Sequence, residues 1–193
     1  MKAEKTRGNI IHQTIELIKE SSGDIEAITI RRIAERAGVG IGLIHHYFRS
    51  KDFLIEVCVQ TIIEEVIHSF RPEACESSDP IEITKCVAKQ VMDFLMENRH
   101  ISKVSILADF NRPSVSDNTI KTVMGFGRSL SGGRDIGPHK IHSFMITSVL
   151  QAAFLRKDLL QDCIGVDFNE KSQRDRFIDI IVERFGGNEI FNT

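Results

Sequence analysis

The residues best suited to chemistry lie between Thr29 and Lys51, in the run TIRRIAERAGVGIGLIHHYFRSK. They are cations, a hydroxyl and two imidazoles, not nucleophile–base pairs. Lys51, Arg31 and Arg32 can meet phosphate oxygens by charge. Thr29 and the free N–H groups of the helix it opens can meet another phosphate through hydrogen bonds and the helix dipole. His45, His46 and Tyr47 offer ring donors. Such a set is suited to holding a polyanion, and it makes no covalent step.

Local structure must hold these groups in place. Thr29 is a suitable N-cap. Ile30, Ile33, Ala34 and Ala37 then share one helical face, and Arg31, Arg32, Glu35 and Arg36 take the other. Gly38 suits the left-handed residue that ends a helix. Gly40 can cap a second short helix, with Ile44 and Phe48 inward, four residues apart. Ser50 is a third cap, opening a further helix at Lys51 and Asp52. Two short helices joined by a glycine turn make the helix-turn-helix pattern, whose second helix can enter a DNA major groove.

The whole string resembles the DNA-binding signature of the tetracycline-repressor (TetR) family of bacterial regulators. Thr29, Ile30, Ile33, Ala34, Ala37, Gly38, Val39, Gly42, Ile44, Tyr47, Phe48, Ser50 and Lys51 match it. The resemblance covers about a quarter of the chain, across three helices and both turns. It implies that Gly40, Ile41, Leu43, His45 and His46 face or flank the bases, and that Tyr47, Lys51 and Thr29 contact phosphates. The chain departs from the signature at Gly40, where a hydroxyl residue is usual, at Ile41, commonly polar or basic, and at His45, usually aromatic. Gly, Ile, Gly and Leu offer base edges few hydrogen bonds. Ile41 and Leu43 can touch thymine methyls, and His46 can donate to a purine N7 or O6. Alternatively, Ile41 or Leu43 folds back onto the head and reads nothing. His45 and His46 are neighbours and point to different faces.

Composition frames this reading. The 193 residues are 41% apolar, enough for an ordinary core in one domain or two small ones. Net charge is −2 overall, so the whole chain gives no polyanion signal. Residues 1–51 carry nine Lys/Arg against six Asp/Glu, a net of +3; the remainder carries 16 against 21, a net of −5. A basic head on an acidic body fits a DNA-binding end joined to another function. Lys2, Lys5 and Arg7 form either a phosphate-touching arm or a solvated, frayed tail.

Cys58, Cys75, Cys86 and Cys163 form no C-x-x-C pair and no zinc-like cluster with histidine. We read them as reduced thiols of a cytosolic protein, with a redox-sensing thiol as the alternative. His139 and His142 are three apart but lack a third ligand, so no metal or other cofactor is expected. The N-terminus is not a signal peptide, and no apolar run reaches 18 residues. The expectation is a cytoplasmic protein with no membrane association.

The pattern is all-α: a three-helix helix-turn-helix head over 1–51, on a helical-bundle body over 52–193 for ligand binding and dimerisation. Helices are expected at about 9–20, 51–70, 80–97, 101–110, 115–130, 138–157 and 170–185, with Asp79 capping the helix that opens at Pro80. The resemblance implies a homodimer through the last two long helices, whose stripes Ile141–Ala152 and Phe177–Phe185 read equally as core. It also implies a pocket for a hydrophobic small-molecule effector among the middle helices, where Met92, Phe94, Leu107, Phe110, Phe126, Phe144, Met145 and Thr147 lie. The function these expectations compose is a repressor that leaves its double-stranded DNA operator when the effector binds. No Ser-His-Asp spacing or ligand cluster supports an enzyme. The alternative is a helical protein-interaction module that keeps the helix-turn-helix shape without specific DNA binding.

Overall fold

The computed structural model describes residues 2–21, 24–69 and 75–186, which contain ten α-helices and no strand. They divide into two compact units. Arg71-Pro72, expected to break a helix, and Gly187, expected to close the last one, lie outside the described residues.

Unit 1 comprises Met1–Val66 and Asn98–Arg112. Its helices are α1 (Lys2–Glu20), α2 (Ile30–Ala37), α3 (Ile41–Phe48), most of α4 (Lys51–Ser69) and α6 (Arg99–Asn111). Helix α1 starts seven residues before the expected Asn9, so Lys5 and Arg7 are helical, not a frayed tail. Gly8 alone does not stop it: the residues before it are good helix formers, and Glu4 lies favourably in the first turn. The core is built from Ile10, Leu17 and Ile18 of α1, Ile28, Ile33 of α2, Ile44 and Phe48 of α3, and Leu54 and Val59 of α4, all essentially inaccessible to water. Asn9 donates to the Ala37 carbonyl at 3.0 Å, tying α1 to the end of α2.

Helix α4 stays with the head, and so does α6. Gln60 on α4 donates to Asp109 Oδ1 at 2.7 Å and accepts from the Ser105 hydroxyl at 3.0 Å. Arg112 pairs with Glu56 and sets its guanidinium 5.1 Å from the centre of the Phe53 ring. The compact unit therefore runs past residue 51. Hydrogen bonds and stacking between α4 and α6 carry the head beyond the signature.

Unit 2 comprises Ile67–Glu97 and Pro113–Thr193. It holds α5 (Pro80–Glu97), α7 (Asn118–Ser131), α8 (Lys140–Leu155), the short α9 (Leu160–Ile164) and α10 (Lys171–Gly186). Asp79 caps α5, accepting from the Ile81 N–H at 3.0 Å. The segment expected to open a long helix at Pro138 instead forms a 3-10 turn, Gly137–His139, before α8. Phe126, Ile146, Leu150, Phe154, Ile178 and Val182 build the core.

Two findings in unit 2 were not expected. First, Cys75 and Cys86 form a disulfide, with Cα atoms 6.2 Å apart. This corrects the reduced-thiol reading for that pair: the fold lays the segment before α5 beside its second turn, which an 11-residue spacing does not reveal. Cys58 and Cys163 are free thiols. Burial pushes Cys58 up to about 12, against a weaker lowering by Thr14 and Arg7, so it is not a reactive thiol. Second, α5 and α10 face each other through ion pairs: Lys85 with Glu183, Lys89 with Asp179, and Asp93 with Lys171 and Arg174. Arg174 is buried and also donates to the Phe168 carbonyl at 2.8 Å.

Asp93 is the hinge of that ladder. Burial raises its pKa, but the hydrogen bonds from Lys171 and Arg174 outweigh burial and hold it below the ordinary 3.8. A lowered folded-state value means that the ionised carboxylate stabilises the fold at neutral pH, and that this contribution is lost as pH falls below 3.8 through the folded value. Asp93→Asn should therefore cost roughly 1–3 kcal/mol in urea unfolding at pH 7, since it leaves the buried Arg174 short of its counter-charge. The gap from the parent protein should narrow below pH 3.8. Equal stability of the two proteins at pH 7 would contradict the assignment.

Candidate nucleic-acid interface

The interface is built outward from the caps. Thr29 is extended (φ −100°, ψ 153°) and its hydroxyl accepts from the Arg32 N–H at 3.2 Å. Gly38 closes α2 in the left-handed region at φ 67°, where a side chain is strained. Gly40 caps α3 without a side-chain bond. Ser50 accepts from the Phe53 N–H at 3.1 Å and starts α4. These four local choices set the angles of three helices.

Packing then fixes which side of α3 faces water. Ile44 and Phe48 are fully buried. A helix advances about 100° per residue, so Gly42 and His46, two residues either side of Ile44, point away from the core. Gly40, Ile41, Gly42, Leu43, His45, His46 and Arg49 are exposed, and Tyr47 is half-buried. Ile41 and Leu43 do not fold back: they stay 41% and 37% exposed. The two histidines differ. His45 Nδ1 lies 3.2 Å from the Arg49 carbonyl, within its own helix end, while His46 meets the Tyr47 ring edge-on at 5.2 Å between centroids. Arg49 takes φ 61°, the only non-glycine described at positive φ, and this turns the chain sharply into α4.

The cations fall into two groups. Arg31 pairs with Glu35 at 3.0 Å, and Arg32 reaches Glu20 at 4.0 Å. Arg36 clamps the same Glu20 at 2.5 Å; that hydrogen bond is the main cause holding the Glu20 carboxyl below its usual value. Arg31 and Arg32 are thus engaged within the head, though exposed pairs of this kind are weak and exchangeable. Lys51 and Arg49 make no ion pair among the described residues. Arg7 lies over the Phe48 ring, 5.2 Å from its centre.

Residues 10–58 match the profile described as bacterial regulatory proteins, tetR family. Over that segment the chain is similar to the DNA-binding part of TetR-family regulators. It is 28% identical over 120 residues to "HTH-type transcriptional regulator BetI 1" of Chromohalobacter salexigens, a stretch covering 62% of this chain and 50% of that protein. It is 40% identical over 60 residues to "HTH-type transcriptional regulator BetI" of Escherichia coli, covering 31% and 30%. The matched stretches thus span half or less of these relatives. The TetR fold extends further. A TetR transcriptional regulator from Rhodococcus sp. RHA1 superposes with TM-score 0.58 over 95% of this chain and 98% of its own, at 16% identity. The all-α architecture of TetR proteins is therefore shared along nearly the whole chain.

The residues expected to line an effector pocket are placed less evenly. Met92, Phe126 and Thr147 are buried in unit 2. Phe144, also in unit 2, is exposed, and Met145 and Phe94 are half-buried. Leu107 and Phe110 are exposed on α6 in unit 1, because α6 turns its buried side, with Ser105 and Asp109, to α4. His142, weighed in the sequence only as half of a metal pair with His139, is buried on α8, and neither ring nitrogen has a hydrogen-bond partner among the described residues. It shares the buried side of α8 with Ser143, Thr147 and Gln151.

The Thr29 cap is the most local determinant of the interface and can be tested alone. Thr29→Ala should lower head stability by about 1 kcal/mol, and Thr29→Ser should restore most of it, both read by urea unfolding. If alanine is neutral, the capping bond does not position α2.

Proposed function

We propose that this chain is a DNA-binding transcriptional regulator that occupies an operator as a homodimer and releases it when a small effector binds. One observation carries the reading: α3 is anchored from behind by Ile44 and Phe48 and presents its opposite side to water, with Lys51 at the start of α4 close in sequence. In that pose α3 would enter the major groove. Lys51, Tyr47, Thr29 and the α2 N-terminus would hold the phosphates, and Arg31 and Arg32 would exchange their carboxylates for phosphate. The names of the relatives, HTH-type transcriptional regulators, support the same reading. An operator places the protein in the cytoplasm; among the described residues no helix is long and apolar enough to cross a membrane.

The dimer is supported by unit 2. Ile141 and Phe144 on α8 and Ile180 on α10 are large, apolar and exposed. A second copy would bury them, and a two-fold pair of heads would meet half-sites about one DNA turn apart. The effector reading is supported by the buried Met92, Phe126 and Thr147, which favour a mainly apolar molecule. Repression rather than activation follows the common habit implied by the family resemblance. The competing reading is a protein-interaction module, and its support is the exposed apolar pair Ile41 and Leu43.

A gel-shift titration with the DNA flanking the gene, over a range of salt, decides between them. The regulator should bind selectively and weaken steeply with salt. Lys51→Ala should weaken binding to every duplex and lower the slope of log K against log salt by about one unit. An unchanged slope would remove Lys51 from the phosphate contacts, and no shift on any duplex would favour the protein-interaction reading.

A further inference from the structure

Gly42 weakens α3, and neither packing nor backbone geometry inside the head demands it. Glycine is the poorest helix former after proline, and α3 has only eight residues. A Cβ built at Gly42 would meet nothing within 4 Å, and the same holds at Gly40. Neither glycine has positive φ. Internal packing therefore does not require these missing side chains, nor does backbone geometry. What they permit is close approach from outside.

The neighbours give that approach its chemistry. At about 100° per residue, Ile41 and Leu43 stand on either side of Gly42, and His46 lies one turn behind it. Side chains on a helix lean toward its N-terminus, so Ile41 and Leu43 lean toward the leading end. The front of α3 is a notch with two apolar walls, 41% and 37% exposed, and an imidazole at the back. Arg49 and Lys51, at the far end of the same helix and the start of the next, make no ion pair among the described residues. Cations beside an apolar notch match a groove between phosphates better than an apolar protein surface. Within the major groove the one apolar group on a base edge is the thymine 5-methyl.

We propose that α3 reads its operator mainly through thymine 5-methyl groups. Gly40 and Gly42 let the helix backbone settle against the base-pair edges. Ile41 and Leu43 then close on the methyls of thymines on either side, and His46 is left as the main donor to a neighbouring purine. Half-sites are therefore thymine-bearing at the steps beneath the first turn of α3. This inference rests on the DNA-binding reading above.

The test uses the full chain and duplexes that it selects from a random pool. Each thymidine in a selected duplex is replaced in turn by deoxyuridine, which keeps the base pair and removes only the methyl. At one or more thymines in each half-site the affinity should fall about fourfold per methyl lost. Ile41→Ala or Leu43→Ala should abolish the sensitivity at one of those thymines and leave the other. Gly42→Ala should melt no lower than the parent yet bind the selected duplex at least tenfold more weakly, which a purely structural glycine would not do. Selective binding that is indifferent to every deoxyuridine would overturn the methyl readout and leave the DNA-binding reading standing. Selection of no duplex would overturn both.

Discussion

The burial of Ile44 and Phe48 is the constraint on which the interface depends. Both are fully shielded from water, four residues apart on one side of α3, against a core supplied by α1, α2 and α4. A helix of eight residues has little stability of its own. Its orientation is therefore decided by those two side chains. Once they are sealed in, Gly42 and His46 must face outward, with Ile41 and Leu43 flanking. The chemistry available to a partner is fixed by what stands opposite the anchor. Here that is little hydrogen bonding and much apolar surface.

The same logic governs the extent of the head. The family profile ends at residue 58, yet α4 carries Gln60, which joins Ser105 and Asp109 on α6. Unit 1 thus gathers two stretches of chain, with residues 67–97 inserted between them in sequence. The chain passes between the units near residues 66, 97 and 112. Two of them border α6, which pairs with α4, and α4 begins at Lys51. In unit 2, α5 is held to α10 by charge and to the segment before it by the disulfide. Helix α5 is in this way tied to the helix that carries Ile180.

What was legible in the sequence was what neighbouring residues decide. Thr29, Gly38, Ser50 and Asp79 each act within four residues of their own position, and each caps as expected. The outward side of α3 was readable from the spacing of Ile44 and Phe48 alone. What escaped depends on pairs far apart in the chain. Glu20 lies 12 and 16 residues from the Arg32 and Arg36 it engages, so the partial neutralisation of the α2 cations was invisible. The attachment of α6 to α4 spans 45 to 49 residues. It assigns Leu107 and Phe110 to unit 1, whereas Met92 and Phe126 belong to unit 2, a division that periodicity could not draw. The disulfide is of the same kind, since spacing shows no reason for Cys75 to choose Cys86.

The central claim is that the exposed side of α3, anchored from behind, is where DNA sits. Hydrogen–deuterium exchange resolved by peptide, on the full chain with and without a duplex it selects, addresses this directly. Slowing of exchange on DNA addition should be strongest in peptides covering residues 29–51. Strongest slowing in α8 and α10, with residues 29–51 unchanged, would contradict it.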